Sequence, residues 1–93
     1  MEQVIMQTGS GRIEIQAPID YVRAIATMGQ NDLQVQELWE LPVIQEQLKS
    51  IPIETLEYEY KEYSTDLNKA PREDMEKFLL WSLAWEMSDR EEI

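Results

Sequence analysis

The chain has 93 residues, 43% of them apolar, and carries 19 acids against 8 bases for a net charge of −11, with no histidine and no cysteine. That length fits a single domain, 1–93, and the apolar fraction is that of a chain that folds, although a domain this small hides only a little more than ~60 % of its unfolded surface. The missing imidazole and thiol exclude Cys–His and Ser–His–Asp nucleophilic sites, zinc ribbons, His-ligated metals and disulfides, and the charge disfavours direct contact with nucleic acid or anionic lipid.

The acidity is uneven, with seven acids and three bases up to residue 53 and twelve and five after it. Such a field attracts basic protein surfaces and speeds the encounter with them. The longest apolar run is Phe78-Leu79-Leu80-Trp81, far below the ~20 residues of a membrane span. The first residues, MEQVIMQTGSG, carry neither a basic nor a long apolar leader segment, so the expected location is cytoplasmic, away from membranes.

Val4-Ile5-Met6 and Arg12-Ile13-Glu14-Ile15 flank Thr8-Gly9-Ser10-Gly11, which predicts a β-hairpin around glycines able to take positive φ. A phosphate-cradling loop would need a lysine after its second glycine and a helix beginning there, whereas Arg12 begins a strand pattern. Pro18 suits a helix's first turn, and Ile19, Val22, Ile25 and Ala26 recur at helical spacing up to Gly29, predicting a helix over 18–28. Asn31 followed three residues later by Gln34 resembles a capping box, opening a helix over 32–50 that Pro42 should kink or break near Leu41.

Residues 54–63, ETLEYEYKEY, fit two periods. As a strand, Leu56, Tyr58 and Tyr60 share one face and Glu57, Glu59 and Lys61 the other; as a helix, Ile53, Leu56, Tyr60, Tyr63 and Leu67 align. A helix would crowd Glu54, Glu57, Glu59 and Glu62 around Lys61 alone, so the strand is the favoured expectation. Residues 64–70 read as a polar connection, Pro71 opens a last helix to Met87, and 88–93 read as a frayed tail.

That last helix carries Met75, Leu79, Leu83 and Met87 in one stripe and Phe78, Trp81 and Trp85 in a second. So wide an apolar surface predicts cover on two sides, by the rest of the fold or by another chain. The expected fold is α+β: a small antiparallel sheet, formed by the hairpin plus strand 54–63, packed by three to four helices.

With no motif that names a reaction, the expected function is a non-catalytic acidic module that docks a basic surface of a partner protein, as an inhibitor, antitoxin-like protein or adaptor does. Against a nucleic-acid enzyme its acids would imitate phosphates. Glu54, Glu57, Glu59 and Glu62 are the expected acidic face, and Trp39, Trp81 and Trp85 the expected aromatic anchors of a partner or oligomer interface. No cofactor or metal is expected, since no calcium-loop pattern exists. Two alternatives stand beside this reading: a homodimeric or larger accessory subunit joined through the tryptophan-rich helix, and an enzyme using Glu57 and Glu59 as paired carboxylates.

Overall fold

The computed structural model describes residues 2–9, 11–28, 32–61 and 71–90. In chain order they form β1 (Gln3–Gln7), β2 (Glu14–Pro18), α1 (Ile19–Met28), α2 (Asp32–Glu40), α3 (Pro42–Lys49), α4 (Ile53–Lys61) and α5 (Arg72–Asp89). The architecture is α+β, with a small antiparallel sheet packed by helices, as the sequence indicates.

The hairpin pairs Gln3 with Pro18 through to Gln7 with Glu14. Side chains alternate along it, with Met6, Ile15 and Ala17 facing the core and Gln3, Ile5, Glu14 and Gln16 facing water, until Pro18, buried next to Ala17, ends β2. Thr8 organises the reversal. Its amide donates to the Ile13 carbonyl at 3.1 Å, its carbonyl accepts from the Gly11 amide at 3.0 Å, and its Oγ1 accepts from the amides of Arg12 and Ile13 at 3.1 and 3.3 Å. Gly11 sits at φ 73°, where a Cβ would be strained. Pro18, expected in the first turn of a helix, instead ends β2, and α1 begins one residue later.

Pro42 breaks the expected 32–50 helix into two. Leu41 is extended at φ −64° and ψ 131°, and Pro42 takes the first position of α3, where its missing N–H costs nothing. The side chain of Gln47 on α3 then does a strand's work for β2: its Nε2 donates to the Gln16 carbonyl and its Oε1 accepts from the Gln16 amide, both at 2.8 Å.

Residues 53–61 are the helix α4 and not a strand, so the sheet has two strands rather than three. The amides of Thr55 and Leu56 open the helix on the Pro52 carbonyl at 3.0 and 3.2 Å. The charge crowding expected to disfavour a helix is too small to forbid one. Burying Leu56, 1% exposed, is worth about 1.5–3 kcal/mol. Like charges one helical turn apart cost only ~0.2–0.5 kcal/mol per pair. Residues 62 and 63, the polar connection 64–70, Asn31 and residues 91–93 lie outside the described residues.

Helix α5 is the axis of the molecule, packing against α1, α2, α4 and β1. Met75, Leu79, Leu80, Leu83, Ala84 and Met87 are buried, which accounts for the wide apolar circumference seen in the sequence. It also runs through Asp89, past the expected end at Met87. Among the described residues, no helix is long and apolar enough to cross a membrane.

Candidate functional site

One strip of α5 remains uncovered. Asp74, Lys77, Phe78 and Trp81, at i, i+3, i+4 and i+7, floor an open groove of about 500 Å³ whose walls are Val35 and Gln36 of α2 and Tyr60 of α4. The rings form a continuous row. Tyr60 meets Phe78 edge to face, centroids 5.1 Å apart at 72°; Phe78 meets Trp81 at 5.4 Å; Trp81 meets Trp85 at 6.0 Å and 68°. Such pairs contribute about 0.5–1.5 kcal/mol each beyond their buried area, so the rings support one another along α5.

The rim is acidic. Glu57 is exposed one turn before Tyr60, about 60° round α4 from it by helical geometry. Asp74 is exposed and forms no ion pair among the described residues. Lys77 adds little positive charge, because its Nζ lies 3.2 Å from Glu73 Oε2 and 4.8 Å from the centroid of Trp39.

The expected acidic face is divided by the helix. Glu54 and Glu57 are exposed on α4, Glu59 is buried at 3% exposure, and Glu62 lies outside the described residues. Two residues apart on a helix means about 200° of rotation, so Glu57 and Glu59 leave α4 on opposite sides and do not form a carboxylate pair. Tyr58, on the hairpin side of α4, stacks under Arg12 at 4.3 Å and ties the hairpin loop to the helix. Among the described residues, no three acidic side chains converge as metal ligands.

The three expected tryptophans have different surroundings. Trp39 is committed to the fold: its Nε1 donates to Glu76 Oε1 at 3.1 Å, and Glu76 Oε2 is 3.1 Å from Arg72 Nε. Arg72 Nη2 in turn donates to the carbonyls of Leu48 and Ile51, both at 2.8 Å, capping the end of α3. This chain of bonds joins α2, α3 and α5. Trp81 lies in the groove and Trp85 beside it, and the buried Nε1 of each has no acceptor among the described residues.

These environments predict opposite responses to losing an indole N–H. Trp39→Phe should cost about 1–2 kcal/mol more in urea unfolding than Trp85→Phe, because it strips a donor from a buried carboxylate whereas Trp85 gives up an unsatisfied group. Equal costs would show that the Trp39 bond contributes nothing.

Phe78, Tyr60, Val35 and Asp74 were not singled out as site residues by the sequence. The available signal was the i, i+3, i+4, i+7 spacing of Asp74, Lys77, Phe78 and Trp81. No protein-family model matches the chain, and no curated protein or solved structure does either.

Proposed function

We propose that this chain is a non-catalytic binding module that docks a basic surface of a partner protein in the groove between α2 and α4, acting as an inhibitor, antitoxin-like protein or adaptor. The observation that carries the reading is the open groove lined by the rings of Tyr60, Phe78 and Trp81 and by the acid Asp74, with Glu57 exposed one turn from Tyr60, on a chain of net charge −11. Rings of this kind supply the desolvated centre of an interface, and the acids at the edge select and steer a cationic partner. If that partner is a nucleic-acid enzyme, Glu54 and Glu57, one turn apart on the exposed side of α4, stand where phosphates would.

Affinity purification from the native cell at low and high salt tests this directly. The immobilised chain should retain a protein of high pI at low salt and release it as salt rises, because exposed charges are screened beyond ~8 Å at physiological ionic strength. Retention of nothing, or of acidic proteins alone, contradicts the reading.

A second reading draws on the same row of rings: an accessory subunit that self-associates through Trp81 and Trp85, whose indole N–H groups lack acceptors among the described residues. It requires an oligomer that falls apart in Trp81→Ala or Trp85→Ala.

A further inference from the structure

We propose that two copies of this chain pair through the free edge of β1, joining their hairpins into one antiparallel sheet in the order β2-β1-β1-β2. The inference is independent of the groove and of what the groove binds.

Backbone directions locate the edge. The Gln16 amide and carbonyl both bond to the Gln47 side chain, so they point away from β1. Its cross-strand neighbour is Ile5, and in such a pair both residues turn their amide and carbonyl outward. The flanking bonds agree: Glu2 turns its carbonyl to the Ile19 amide at 2.9 Å, and Thr8 turns its amide to Ile13. Gln3, Ile5 and Gln7 therefore present their backbone groups to the far side of β1. Among the described residues, Gln3 and Ile5 have no bond there, and the Gln7 carbonyl receives a long contact of 3.5 Å from Arg90 Nη2.

Among the described residues the two edges of the sheet thus differ: Gln47 bonds the outward backbone of β2 at Gln16, and Gln3 and Ile5 of β1 have no such partner. Edge strands are ordinarily protected by charge, proline or a bulge. The sequence of β1, QVIMQ, carries no charge and no proline, its register with β2 is unbroken, and Ile5 is 60% exposed. A two-stranded ribbon is also marginal without further strands or packing.

The occupant that fits is a second β1. Antiparallel pairing centred on Ile5 sets Ile5 against its own copy and Gln3 against Gln7, so that every outward-facing backbone group finds a partner, about six hydrogen bonds in all. The exposed isoleucines cover each other and the glutamine amides lie opposite one another. Self-pairing of a chain of net charge −11 is opposed by repulsion, yet this segment is neutral. The nearest acid on the strand, Glu2, would lie about 20 Å along the ribbon from its copy, well beyond the ~8 Å screening length.

Sedimentation of the full chain from micromolar to millimolar concentration tests the pairing. The expected mass rises from 11.0 kDa towards twice that value. Ile5→Lys places like charges across the two-fold axis, and Ile5→Pro deletes an outward N–H that no internal bond uses, so each should weaken association at least about tenfold while leaving the hairpin folded. Amide exchange of Gln3 and Ile5 in the unaltered chain should slow as concentration rises, which reads the contact without any substitution. A chain that stays monomeric at millimolar concentration overturns the proposal, even if another protein's strand binds the edge. So does a dimer that survives both variants, or exchange at Gln3 and Ile5 that ignores concentration.

Discussion

Arg72→Ala is expected to lower stability by about 2–3 kcal/mol, a fall in Tm of roughly 10–20 °C for a domain this size. The side chain of Glu76 is 10% exposed and that of Arg72 37%, so the pair is buried at one end and partly hydrated at the other. That asymmetry places the expected cost below the ~3–5 kcal/mol of breaking a fully buried pair. Truncation leaves the Glu76 carboxylate with the Trp39 N–H and removes the Arg72 donor from the carbonyls of Leu48 and Ile51, loosening α3 from α5. Arg72→Lys should recover little, since one ammonium cannot reproduce a fork whose Nε meets Glu76 and whose Nη2 meets two carbonyls. Thermal unfolding followed by circular dichroism measures both variants, and a change in Tm below about 3 °C for Arg72→Ala would show that the network is incidental to stability.

Trp81→Ala carries the largest expected effect on binding. A buried aromatic at the centre of an interface is worth about 2 kcal/mol or more, so partner affinity should fall about 30-fold. Trp85, outside the groove lining but in ring contact with Trp81, should matter less. Trp39→Ala should act through stability alone, because its N–H is bonded to Glu76 and Lys77 lies over its ring. Affinities measured well below each variant's melting temperature separate these cases; equal losses for Trp39 and Trp81 would contradict the assignment of Trp81 to the docking surface.

Local patterns carried much of the fold. Glycines at the hairpin reversal, the proline that starts α3 and the apolar circumference of α5 each act over a few residues, and each is legible in sequence. The segment at 53–61 was not, because tyrosines and leucine recur at both two-residue and helical spacing there. Leu56 turns inward in either reading; what separates them is that α4 as a whole packs along α5, an element far along the chain. The same holds for Glu59, which the strand reading placed on a wet face and the helix turns inward. Neither Arg72 nor Glu76 stood out, since their partners Leu48, Ile51 and Trp39 lie 21 to 37 residues away. The groove was half visible: Trp81 was prominent, while Tyr60 and Val35 reach it only because α4 and α2 flank the same strip of α5.

The most direct test of the docking account is the salt dependence of affinity between the chain and its purified partner, compared with Glu57→Lys/Asp74→Lys. Both side chains are exposed, so the double variant should fold as the unaltered chain does. The account predicts binding that weakens steadily as salt rises, and a double variant that binds at least about tenfold more weakly at low salt with a flatter salt response. Affinity that is indifferent to salt, or that survives reversal of both charges, would contradict it.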